Sequence, residues 1–188
     1  RSRKEQFSKS QKAEKMMKIA EIQQELKDRE KALAVYKRVL KMKNGQDVNL
    51  LNKMGILCGE MGDYEREEKF YRQASKISNW GGPLFNLALA QRQRDDHKEA
   101  ILSVKDAIQR DEDAPYYVLL GIIRKDLGEE SEMKKNIGKS FELFEPLELM
   151  DDWSLHWYGR AANLLQDAEK LEMIKKEKKR RKEKGSEP

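Results

Sequence analysis

The sequence predicts an all-α chain, an α-solenoid of antiparallel helix pairs, and three observations carry that prediction. Small residues recur at Ala20, Gly55, Ala88 and Gly121, at intervals of 35, 33 and 33. Three further columns keep the same intervals: Ala32, Glu67, Ala100 and Met133; Tyr36, Tyr71, Val104 and Ile137; Val39, Ala74, Ala107 and Ser140. Between the first and second columns stand turn formers, Asp28, Gly62-Asp63, Asp95-Asp96 and Gly128-Glu129, each breaking a helical pattern about midway. A period of this length with a turn at its centre belongs to stacked two-helix units. Pro83, Pro115 and Pro146, spaced by 32 and 31, punctuate the chain at nearly the same rhythm.

Taken in order, the elements begin with a basic N-terminal extension, residues 1–12, within which Ser8 or Ser10 is expected to N-cap the first helix with Glu14 in its first turn. Four units are expected at about 13–46, 48–80, 81–113 and 114–146. Within each, apolar residues recur at three- and four-residue steps, as in Leu51, Met54, Gly55 and Cys58 and then Phe70, Tyr71, Ala74 and Ile77. The columns follow from packing: a small residue in the first helix admits its partner closely, and a bulky one in the second fills the space between neighbouring pairs. Glu67 and Met133 break the small-residue column, so the second and fourth units are expected to pack more loosely.

Past Pro146 the pattern returns with Leu155, Tyr158, Gly159 and Ala162 and a turn at Gln166-Asp167-Ala168. Residues 147–174 are therefore a degenerate fifth repeat or a pair of capping helices. Its second helix puts Lys175 at the bulky position and Lys178 at the next small one, so it is expected to lose its buried face after about one turn. A solenoid needs a polar outer face on its last element, which the basic tail 175–188 supplies.

These units resemble the tetratricopeptide repeat family, whose Leu-Gly, Gly-Asp-Tyr and Ala-x-x-x-Tyr/Phe-x-x-Ala signature reappears here. Residues 54–74, MGILCGEMGDYEREEKFYRQA, match it best; residues 87–107 keep it with Asp95 in place of the turn glycine. The resemblance implies a right-handed superhelix whose concave surface is lined by the first helix of each pair and receives ligands. It also implies a non-enzymatic scaffold or adaptor that binds a peptide or an amphipathic helix of a protein partner.

Carried over by position, that surface comprises Met17, Lys18 and Glu21; Asn52, Lys53 and Ile56; Phe85, Asn86, Leu89 and Arg92; Val118, Leu119, Ile122 and Lys125; and His156, Trp157 and Arg160, with Trp153 near the rim. Ile56, Phe85, Leu89, Val118 and Ile122 are expected to form an exposed apolar line suited to a partner segment, because other residues already fill the packing columns. Asn52 and Asn86 add carboxamides able to pair with an extended backbone, and Trp153 and Trp157 are of the type that anchors interfaces. Coverage of this line by the chain's own N-terminal segment, Phe7 included, or by the fifth helix, and incidental exposure, are the competing expectations. The family's clamp for chaperone tails is not expected, since its positions hold Met17, Glu21, Lys53, Gly82 and Asn86.

Composition narrows the remaining choices. The 188 residues carry a net charge of +5, but residues 1–18 hold seven basic and two acidic side chains and residues 170–188 hold nine and four, so the body between them is mildly acidic. Lys175, Lys176, Lys178, Lys179, Arg180, Arg181 and Lys182 are candidates for weak polyanion contact, with a nucleic-acid or anionic-membrane adaptor as the alternative function. No aromatic interleaves them to stack on bases. No apolar run is long enough to span a bilayer, and a cytoplasmic placement is expected. Cys58, the sole cysteine, excludes an internal disulfide.

His97 and His156 share no cluster with Cys58, and no cofactor or metal is expected. Asp95-Asp96, Asp111-Glu112-Asp113 and Asp151-Asp152 read as helix-end carboxylates. With no phosphate loop or convergent catalytic set, no enzyme is expected. A homodimer through the open ends of the stack and a regulatory output module cut from a larger signalling or chaperone protein complete the expectations.

Overall fold

The computed structural model describes residues 3–184, with side chains placed for residues 10–183. About 80% of the chain is helical, in ten helices among the described residues. These are α1 (Arg3–Glu25), α2 (Arg29–Met42), α3 (Val48–Glu60), α4 (Tyr64–Ile77), α5 (Gly82–Gln93), α6 (His97–Arg110), α7 (Ala114–Asp126), α8 (Glu130–Leu143), α9 (Asp152–Leu165) and α10 (Ala168–Lys184). They form two compact units, residues 1–90 and 91–188.

One backbone device makes every turn within a pair. Lys27, Gly62, Asp95, Gly128 and Gln166, each seven residues beyond a small residue of the first helix, have φ of 59, 74, 61, 75 and 55°. This left-handed step ends one helix, and the next residue begins the other. Asp28, Asp63 and Asp167 cap the following helix through the side chain, accepting from the amides of Lys31, Arg66 and Lys170. Asp96, Asp113 and Glu129 stand at N-cap positions without a side-chain cap bond, whereas Asp47 and Asp151 cap α3 and α9.

The four columns are buried throughout, and the glycines show why the first must be small. A β-carbon at Gly55 would stand 2.6 Å from the Tyr71 ring, and one at Gly121 2.7 Å from Ile137 Cδ1. The looser packing expected of the second and fourth units is not found: α3 on α4 and α7 on α8 pack more extensively than α1 on α2. Glu67 is accommodated because the carboxylate reaches the place a side chain at Gly59 would take, and Met133 is buried in full.

Two further expectations are corrected. Ser8 and Ser10 do not cap the first helix, because α1 starts at Arg3 and both lie inside it; no Gly or Pro interrupts the strongly helix-forming sequence upstream of Ala13. Phe7 falls outside the residues with described side chains.

Nor does the last helix lose its inner face after one turn. α10 runs 17 residues and is rotated by about one position relative to the other second helices. Ile174, not Lys175, approaches Gly159, with a hypothetical β-carbon there 3.7 Å from Ile174 Cδ1. Glu177 and Arg181 continue the stripe at three- and four-residue steps. Arg181 donates to the carbonyls of Leu147 (3.0 Å) and Met150 (2.6 Å), to Asp152 (3.0 Å) and to Glu177 (2.8 Å), while Arg180 grips Glu177 as well. Leu147, Met150, Leu155, Ala162 and Ile174 pack as one cluster with Phe141, Phe144 and Tyr158, whose rings meet edge to face at 5.1 and 5.2 Å.

Candidate functional site

The small column residue of each first helix defines its inner wall, and neighbours fall into place by helical geometry. In α3, α5 and α7 a residue three before it shares the buried face, whereas Met17 of α1 is half-buried and His156 of α9 exposed. For that reason Asn52, Phe85 and Val118 are buried, Phe85 to 2% exposure. The residue one after it lies about 100° round and forms the edge of the face. There exposure varies: Ile56 is 47% exposed and Ile122 5%, with Leu89 and Arg160 half-buried.

The apolar line expected from Ile56 to Ile122 is thus corrected at Phe85, Val118 and Ile122, which are core residues. A helix buries a stripe wider than the packing columns alone. Trp157 is buried too, its ring 5.6 Å from the exposed Trp153 and at a steep angle to it. Asn86 is half-buried.

Within residues 1–90, Asn52 stands out chemically. It is only 7% exposed, yet its Oδ1 accepts no hydrogen bond among the described residues. Buried acceptors are nearly always satisfied, so one left over calls for an explanation. Ile56 stands one turn further along the same helix. Lys53 is engaged with Glu21 of α1 at 3.1 Å, both half exposed, a contact worth well under about 1 kcal/mol.

Within residues 91–188, a cleft of about 330 Å³ is lined by Arg92, by Ile122, Lys125 and Asp126 of α7, and by Arg160, Asn163 and Leu164 of α9. Asp126 accepts from Arg92 Nε at 2.6 Å and lies 3.7 Å from His97 Nε2. His97 is further tied to the Asp95 carbonyl through Nδ1 at 2.9 Å. The Arg160 guanidinium sits 4.8 Å over the Trp157 ring. Burial, and then the like charge of Arg92, push its pKa down, with Asp126 opposing. Arg92 was expected at the site; Asp126 was not singled out, and its signal is its place one residue beyond Lys125 on the same inner edge.

Among the α10 candidates, Lys175, Lys176, Lys178, Lys179 and Lys182 are exposed. Lys175 and Lys179 face Glu172 and Glu183 at 3.6 and 3.9 Å. Arg180 and Arg181, the remaining two polyanion candidates, are engaged within the fold instead, both bound to Glu177.

Cys58 is buried in the core, where desolvation pushes its thiol up to about 11. No group of three His, Cys, Asp or Glu is placed to hold a metal among the described residues. No helix there is long and apolar enough to cross a membrane.

The sequence profile of the tetratricopeptide repeat family matches residues 13–46 and 48–79. No curated protein matches the chain. Among solved structures, the chain is similar to a crystal structure of MamA at TM-score 0.59 and 18% identity, covering 90% of this chain and 98% of that one. A second MamA structure gives 0.59 and 19%, covering 94% and 96%. Pseudomonas aeruginosa PilF gives 0.61 and 12%, covering 89% and 90%. At such identities the likeness speaks for the fold. Tetratricopeptide repeats generally mediate contacts between proteins and are typically non-enzymatic. The profile match identifies two tetratricopeptide repeats, at residues 13–46 and 48–79, and the columns and left-handed turns carry the same helix-pair fold on through the rest of the described residues.

Proposed function

We propose that this chain is a non-enzymatic interaction module that holds a segment of a protein partner against the inner edges of its first helices. The observation that carries this reading is Asn52: a carboxamide acceptor, nearly buried and unused, one turn from the half-exposed Ile56. An extended backbone amide would satisfy it, and an apolar side chain two residues along would cover Ile56. Trp153, 51% exposed on α9, offers a comparable anchor in the other unit.

The test replaces Lys53, half exposed beside Asn52 on α3, by a photocrosslinking residue and identifies what it captures from source lysate. Asn52→Ala and Ile56→Glu should each lower capture of the same partner at least about tenfold with the helical circular-dichroism signal unchanged. Capture unaffected by both variants would overturn the reading.

The exposed lysines of α10 favour a second reading, contact with a polyanion. Replacing Lys176, Lys178 and Lys182 together by Glu should then abolish retention on heparin at low salt; retention that persists excludes it.

A further inference from the structure

The cleft in residues 91–188 carries more cation than it neutralises. Three cations, Arg92, Lys125 and Arg160, face a single carboxylate, Asp126. That carboxylate accepts from Arg92 at 2.6 Å, lies 3.7 Å from His97 Nε2, and offsets Arg160 only in part. Among the described residues neither the exposed Lys125 nor the half-buried Arg160 forms an ion pair within 4.0 Å. Its guanidinium is backed by the Trp157 ring, which removes water from one face. A cation held so is under-solvated and under-compensated, and its interaction with an incoming anion is strengthened by the lowered local dielectric. The walls either side, Ile122 and Leu164, are apolar.

We propose that this cleft takes the carboxylate of an Asp or Glu side chain from an acidic segment of a protein partner, with Arg160 as the fork and Lys125 as the second cation. This deepens, and rests on, the interaction reading above. The volume suits a side chain and its immediate neighbours, not an entire helix. Asp126 on the wall disfavours a dianionic phosphate relative to a monoanionic carboxylate, which is why an acidic segment fits better than a phosphorylated one. Ile122 and Leu164 would receive the apolar neighbour of the acid.

The probe is an array of short acidic peptides, each beside a twin with every Asp and Glu replaced by its amide and a second twin carrying phosphoserine at the same places. The wild-type chain should retain acidic members about tenfold better than their amide twins, and the preference should shrink as salt is raised. Lys125→Gln, an exposed substitution that leaves the fold intact, should cut the preference severalfold, and Arg160→Gln should abolish it while weak binding of the amide twins persists.

Equal retention of acid and amide twins by the wild type, or a preference undiminished in both variants, overturns the proposal and leaves the interaction reading standing. Phosphoserine twins retained above the acidic ones would reassign the cleft to phosphate and overturn it as stated. No retention of any peptide by the wild type would overturn this proposal, and the interaction reading would then stand or fall by the crosslinking test on α3.

Discussion

The α7–α8 and α9–α10 pairs share a turn and differ in what locks them. In both, a residue seven beyond the small one adopts a left-handed φ: Gly128 at 75° and Gln166 at 55°. After the turn, α8 sets Ile137 so close to Gly121 that an added β-carbon would force the Ile137 side chain to shift, whereas α10 leaves Gly159 with ordinary van der Waals room beside Ile174. The first pair is closed by shape. The second is closed by charge and hydrogen bonds, through Glu177 and Arg181. The lesson is that turn geometry and helix register are separable: a conserved spacing fixes where the second helix starts, while the side chains available decide which stripe it turns inward.

The largest expected effect breaks the apolar lock. Ile137→Ala removes a fully buried side chain and should destabilise residues 91–188 by about 2–5 kcal/mol, read as a lowered urea midpoint. A smaller loss, about 1–3 kcal/mol, is expected for Gly55→Ala, where the new methyl meets the rigid Tyr71 ring. The same change at Gly159 should reverse sign and stabilise by up to about 1 kcal/mol, since Ala favours the helix and has room there. If Gly159→Ala destabilises as Gly55→Ala does, the distinction between the two kinds of lock fails. Gln166→Gly should add about 1 kcal/mol by relieving a left-handed non-glycine residue, visible as a raised melting temperature.

The smallest effect concerns pH. Hydrogen bonds from Arg180 and then Arg181 hold the Glu177 carboxyl down at about 2 against an ordinary value of 4.5. A depressed pKa means that the brace contributes in full above about pH 4.5 and is lost progressively as pH falls toward 2. Hydrogen exchange should therefore quicken in α10 between those values ahead of α3 and α4, and Glu177→Gln should produce the same quickening at neutral pH. Equal protection of α10 in the variant would mean that Glu177 does not brace it.

Much of the fold was legible because packing leaves a periodic trace. Ala20, Gly55, Ala88 and Gly121 mark the inner wall, and their followers mark the partner helix. The register of α10 was not legible: Lys175 and Lys178 occupy the column positions, and only the neighbours Ile174 and Glu177 show that the helix has turned. For the candidate site, the places of Asn52, Ile56, Arg92 and Trp153 on their helices were legible, but not their exposure. Phe85 and Val118 look spare when only the columns are counted, yet both stand one turn before a small wall residue and share its side. Asp126 was missed because a single acid in a charged chain carries no pattern until its partners are known.

Cys58 has a practical consequence. With its thiol held up at about 11, roughly one molecule in ten thousand is a thiolate at neutral pH, and the sulfur is closed to solvent. The native chain is therefore expected to label only slowly with maleimide dyes, which a labelling time course checks. A single cysteine placed at Ile56 or Lys125 can carry a fluorophore without first removing the natural one, so occupancy of each inner edge can be followed separately, one molecule at a time.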